Sequence, residues 1–186
     1  MNFHELLARV AKILNDYEIP YAVTGGYAVS VWGRPRATFD IDIIIELHLS
    51  DIEIVRAALK GISKISYIDE EAMKEAVQRE GEFNFIYSES NLKVDFFVVG
   101  SDNFSKQKLT RRIALDINNE KIYFVSPEDL ILSKLLWYKD SQSTRQLEDV
   151  ESIFKIQKDK IDFDYLRKWA LAQKTDEILE SLLNKQ

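Results

Sequence analysis

Apolar residues recur at Leu6, Leu7, Val10, Ile13 and Leu14 between Phe3 and Tyr17. That spacing predicts a helix with a charged outer face, and Pro20 lies beyond its end. Tyr21–Val23 is a short β-type run, broken by Gly25-Gly26. Tyr27 to Trp32 has room for one or two helical turns, and Gly33 to Arg36, with Pro35 inside it, reads as a loop. Phe39 to Glu46 is rich in isoleucine and predicts a strand. Ser50-Asp-Ile-Glu53 has the pattern of a capping box and predicts a helix from Asp51 to Lys60, ending near Gly61. Asp69–Arg79 is a more polar helix whose acidic start and basic end suit the helix dipole.

Phe83–Tyr87 and Leu92–Val99 are two β-runs joined by Ser-Glu-Ser-Asn, the pattern of a hairpin. Arg111–Ile117 and Lys121–Val125 form a second, in which Arg111 and Arg112 would point to opposite faces. Either one of them faces a substrate or both are solvated. From Ser126 onward only helices are expected. Ser126 offers an N-cap, Pro127 fits the first helical position, and Glu128 and Asp129 follow in the first turn. Leu130 to Tyr138 is apolar nearly all round except for Ser133 and Lys134. After a polar break at Ser141–Thr144 come an amphipathic helix (Arg145–Ile156) and two more, Phe163–Leu171 and Thr175–Leu183. The change at Ser126 divides the chain into 1–125, mixed strand and helix, and 126–186, helical. The fold class is α/β (α+β), with a mixed, mostly antiparallel sheet flanked by helices and a C-terminal helical part.

The 186 residues are 46% hydrophobic and 30% charged, enough for one core or a core with a helical appendage. A net charge of −6 argues against a broad nucleic-acid coat, while leaving room for a local basic groove near Lys106, Lys108, Arg111 and Arg112. The absence of cysteine rules out disulfides and thiolate metal sites. Two histidines, His4 and His48, read as surface residues. No apolar run reaches the ~18 residues of a membrane span, and the N-terminus has no signal-peptide pattern, so a cytoplasmic location is expected.

The chemistry concentrates between Val23 and Ile45. Alternate residues of a strand share a face, so Asp40 and Asp42 point the same way, roughly 6–7 Å apart, while Ile41, Ile43 and Ile45 face a core. Two carboxylates this close repel unless a cation lies between them. Hard divalent ions such as Mg²⁺ take oxygen ligands and keep positions open for phosphate. The turn at Gly25-Gly26 feeds a helix N-terminus whose N–H groups can face phosphate oxygens. Together these features point to metal-assisted phosphoryl transfer. Asp95, within an apolar strand, is either salt-bridged to Lys93 or a third carboxylate for the same ion. Lys134 either snorkels to solvent or reaches a phosphate. Asp149 either caps or salt-bridges its helix or serves the site.

These residues resemble the nucleotidyltransferase superfamily with the polymerase-β-like catalytic fold. The matching positions are Gly25-Gly26, Asp40-Ile-Asp42 and Asp95. The form Gly-Gly-x-Ala, then Gly-Arg-x-Arg-x-Thr-x-Asp-Ile-Asp, is similar to the AbiEii toxin-like nucleotidyltransferases and to the aminoglycoside and lincosamide nucleotidyltransferases. In the first branch a helical lysine followed by an arginine and an aspartate resembles Lys134, Arg145 and Asp149. The resemblance implies transfer of an NMP from an NTP to an acceptor hydroxyl. It implies two Mg²⁺ (or Mn²⁺) ions on Asp40 and Asp42, with Asp95 ligating the ion beside the acceptor and Lys134 also in the catalytic set. The nucleotide would be held by Gly25, Gly26, Arg36, Thr38, Lys134 and Asp149. The acceptor class stays open among a tRNA end, a protein and a small molecule, and a toxin–antitoxin partner is a further implication. A non-catalytic nucleotide- or protein-binding module on the same fold is the alternative. Lys93, two residues before Asp95, departs from the family pattern.

Overall fold

The computed structural model describes residues 1–184, which divide into two compact units. The first comprises Met1–Tyr27 and Ala37–Val125, and the second Ala28–Arg36 and the described residues from Ser126 onward. The chain therefore leaves the first unit within one helix, returns for the sheet, and leaves again at Ser126. Segment 28–36 clusters with the C-terminal helices.

In the first unit the elements are α1 (Phe3–Asp16), β1 (Tyr21–Val23), the opening of α2 (Gly25–Trp32), β2 (Asp40–Ile45), α3 (Ile52–Lys60) and β3 (Tyr67–Ile68). Then follow α4 (Glu70–Arg79), β4 (Glu82–Tyr87), β5 (Leu92–Val98), α5 (Asn103–Thr110), β6 (Ile113–Ile117) and β7 (Glu120–Phe124). The strands form one seven-stranded sheet in the order β3-β4-β5-β2-β1-β7-β6. Four neighbouring pairs are antiparallel; β1 with β7 and β2 with β5 are parallel. The sheet is thus mixed and mostly antiparallel, as its hairpin-rich sequence implies.

Alternation places the core. Ile41, Ile43 and Ile45 on β2 and Val94 and Phe96 on β5 are fully buried, and Phe83 stacks on Phe96 at 4.9 Å between ring centroids. Helix α1 buries Leu6, Leu7, Val10 and Leu14 and starts with a capping box. Asn2 accepts from the Glu5 N–H at 3.0 Å, and Glu5 accepts from the Asn2 N–H at 2.9 Å.

Local departures from the sequence reading have local causes. Ser50 is not an N-cap; Leu49–Asp51 is a 3₁₀ turn, and Asp51 accepts from the His48 N–H at 3.0 Å. Strand β3, two residues long, is too short to show alternation. Helix α5 buries only Phe104 and Leu109, so it carries little helical periodicity. It ends at Thr110 with Arg111 as its C-cap, which removes Arg111 and Arg112 from the expected strand. Arg112 donates to the Leu109 carbonyl at 2.6 Å and lies over the Tyr123 ring at 4.9 Å.

The second unit holds the remainder of α2 with α6 (Pro127–Ser141), α7 (Thr144–Gln157), α8 (Phe163–Gln173) and α9 (Asp176–Leu183). Ser126 caps α6, accepting from the Asp129 N–H at 3.1 Å. The fully buried Asp129 carboxylate accepts from Ser126 Oγ and from the Tyr165 hydroxyl at 2.6 Å. Such pairing is what makes a buried carboxylate tolerable. Among the described residues no helix is long and apolar enough to cross a membrane.

Phe96 sits on a strand paired on both sides and fully enclosed. Phe96→Ala should cost about 3–5 kcal/mol of unfolding free energy, measured by urea denaturation.

Candidate metal and nucleotide site

The parallel pairing of β2 with β5 sets Asp42 opposite Asp95 and Asp40 opposite Lys93. Residues two apart on a strand share a face, so all four side chains stand on one side of the sheet. One carboxylate oxygen from each of Asp40, Asp42 and Asp95 lies within 4.8 Å of the other two. Asp95 is only 7% exposed; Asp40 and Asp42 are half-buried.

Neighbours offset this negative charge. Lys93 Nζ is 2.7 Å from Asp95 Oδ2. Asn84, the register partner of Asp95 on β4, donates from Nδ2 to Asp95 Oδ1 at 2.7 Å. The Thr38 hydroxyl donates to Asp40 Oδ1 at 3.0 Å. Lys93 is held above the usual lysine range, first by its hydrogen bond to Asp95. The charge of Asp95 and, more weakly, of Asp40 and Asp42 adds to this, against a desolvation cost. Asn84 has no sequence signature of its own; only the β4–β5 register reveals it.

The diglycine lies against this cluster. Gly25 has φ +61°, a conformation costly for residues with a Cβ. A Cβ there would fall 1.8 Å from Asp42 Oδ2, so close approach and backbone conformation both demand glycine. The Thr24 N–H donates to the Asp42 carbonyl at 2.8 Å, tying the turn to the carboxylate strand. Gly25 and Gly26 belong to the first turn of α2, rather than to a separate turn ahead of it.

A second charged cluster forms within the helical unit. Asp149, 4% exposed, accepts from Arg36 Nε at 3.0 Å and Nη2 at 3.2 Å, and pairs with Lys134 Nζ at 2.9 Å. The two-pronged arginine contact is the stronger kind of charge-assisted pair. Ser30 supports the arginine's backbone, accepting from the Arg36 N–H and donating to its carbonyl, both at 3.2 Å. Ser152 accepts from the Arg34 N–H at 2.6 Å. Ser30 and Ser152 escape sequence reasoning, although Ser152 shares the α7 face of Asp149 at i,i+3. Arg145 is exposed near the start of α7. In the basic stretch Lys108 lies over the Phe104 ring at 5.1 Å.

Three carboxylates within reach of one point, two of them half-open to solvent, form an all-oxygen donor set. That suits a hard divalent cation such as Mg²⁺ or Mn²⁺ and is a poor match for soft thiophilic metals.

No curated protein matches the chain. Among solved structures, it is similar to ANT(2")-Ia in complex with adenylyl-2"-tobramycin, with TM-score 0.62 and 11% identity over 92% of this chain and 97% of that one. It is similar to an antigenic nucleotidyltransferase-like protein from Paracoccidioides brasiliensis, with TM-score 0.58 and 18% identity over 97% and 91%. It is also similar to the lincosamide antibiotic adenylyltransferase LnuA, lincomycin-bound, with TM-score 0.55 and 14% identity over 82% and 96%. At these identities the likeness establishes the fold. The model of one family, described as "Nucleotidyltransferase of unknown function (DUF6036)", matches residues 1–185. The chain belongs to that nucleotidyltransferase family.

Proposed function

We propose that the protein transfers a nucleoside monophosphate from an NTP to an acceptor hydroxyl, releasing pyrophosphate, with Asp40, Asp42 and Asp95 as the metal-binding carboxylates. The observation that carries this reading is the meeting of those three side chains on one face of two register-locked strands, beside a diglycine that leaves no room for a Cβ. A divalent ion bound there supplies charge neutralisation at the reacting phosphate and lowers the pKa of an oxygen nucleophile.

The chain's own groups divide the remaining work. Gly25 and Gly26 offer N–H groups at a helix start to the triphosphate. Thr38 fixes the rotamer of Asp40 through its hydroxyl. Asp95 is assigned the acceptor's proton. The acceptor oxygen bonds to the α-phosphorus as the bond to the bridging oxygen breaks, and pyrophosphate leaves with that electron pair. Within the helical unit, Asp149 holds Arg36 and Lys134 in a fixed orientation.

Acceptors compatible with this chemistry are an RNA end such as that of a tRNA, a protein side chain and a small molecule. The toxin-like resemblance extends the proposal to a protein partner of the toxin–antitoxin kind. Labelled NTPs incubated with the protein, Mg²⁺ and either RNA or protein extract should leave label on an acceptor. Nucleotide binding without label transfer would contradict the catalytic reading and favour a non-catalytic module.

Two variants test the assignments. Asp42→Asn should lower transfer by about 10²–10³-fold or more, while its urea midpoint without metal stays level or rises, because a carboxylate repulsion is relieved. Full activity in this variant contradicts the assignment. Asp149→Asn should cost about 3 kcal/mol in urea unfolding, since it strips the shared counter-charge from two partly buried cations. An unchanged midpoint would show that the cluster contributes nothing to the fold.

A further inference from the structure

The carboxylate cluster already contains a cation. Lys93 stands opposite Asp40 in the β2–β5 register and two residues before Asp95. Its ammonium lies 2.7 Å from Asp95 Oδ2, a charge-assisted contact of the strong kind. The other oxygen of Asp95 accepts from Asn84. Asp95 therefore has both oxygens engaged, whereas one Asp40 oxygen takes only a neutral hydroxyl. Three carboxylates and one ammonium leave a local charge of two negatives, which a single divalent ion cancels. A second ion would have to displace the ammonium from Asp95 or share the carboxylate with it at close range, where like charges repel strongly.

We infer that Lys93 takes the place of one of two divalent ions, so that the native site binds a single ion on Asp40 and Asp42 while the ammonium stays on Asp95. This rests on the reading of the three aspartates as a metal site. It makes Lys93 the residue that sets metal stoichiometry, and it puts a fixed cation, needing no metal, beside the carboxylate assigned to the acceptor. The Lys93 side chain is 45% exposed, so shortening or neutralising it leaves the packed core of the sheet untouched.

The test is a calorimetric Mn²⁺ titration of the native protein, Lys93→Met and Lys93→Gln, with electron paramagnetic resonance of the bound Mn²⁺. The native chain should take one ion with an uncoupled spectrum. Both variants should take two ions, the first bound ~10-fold tighter or more. Two ions about 4 Å apart in the variants should give a spin-coupled spectrum. Without metal the variants should melt below the native protein, and Mn²⁺ should raise their melting temperature more than it raises that of the native chain. Two coupled ions in the native protein, or the same single ion in all three proteins, would overturn the inference and leave the proposed function standing. No Mn²⁺ binding by any of the three would overturn both.

Discussion

The parallel register of β2 on β5 is the constraint on which the candidate site depends. A slip of one residue would send every side chain of a strand to the opposite face. Asp40 and Asp42 would then exchange places with isoleucines that are now fully buried. The hydrophobic face thus holds the polar face in register. Ile41, Ile43 and Ile45 have to meet Val94, Phe96 and Val98 on one side, and the carboxylates follow on the other. Packing energy fixes a geometry that the carboxylates, left to themselves, would oppose.

That opposition shapes the surroundings. Carboxylates gathered this closely destabilise one another, and the fold answers with groups of different kinds. Lys93 supplies charge, and Asn84 and Thr38 supply hydrogen bonds. Gly25 supplies room, since any side chain there would collide with Asp42. The helical unit solves the reverse problem, two cations around one buried carboxylate, through the fork of Arg36 and the ammonium of Lys134 on Asp149. The carboxylate cluster keeps a net negative charge beside Lys93, the kind of surplus that a hard divalent cation offsets.

Much of this was legible in the chain itself. The alternation of Asp40 to Ile45 gives both the strand and the shared face of its two carboxylates. Ser126-Pro-Glu-Asp129 gives the start of α6, because capping and a proline at the first turn act locally. What stayed hidden was non-local or too short to leave a period. Asn84 matters only because it faces Asp95 across two strands. Ser152 matters because it meets the Arg34 backbone from 118 positions away. Segment 28–36 carries no local signal that it clusters with helices nearly a hundred residues later. For Lys93 and Asp95 the sequence left two readings open, an ion pair or a third carboxylate beside Asp40 and Asp42. The structure holds both at once, because a lysine two positions back on the same face can reach a carboxylate that also faces the neighbouring strand.

The central claim is that Asp40 and Asp42, with Asp95 beside them, form a divalent-cation centre. Anomalous diffraction from crystals of the protein grown with Mn²⁺ and a non-hydrolysable NTP analogue tests it most directly. The account predicts an anomalous peak within ligand distance of Asp40 and Asp42, with the nucleotide's phosphates reaching the same ion. Nucleotide bound with no Mn²⁺ peak at those aspartates, or with the ion held elsewhere in the chain, would contradict it.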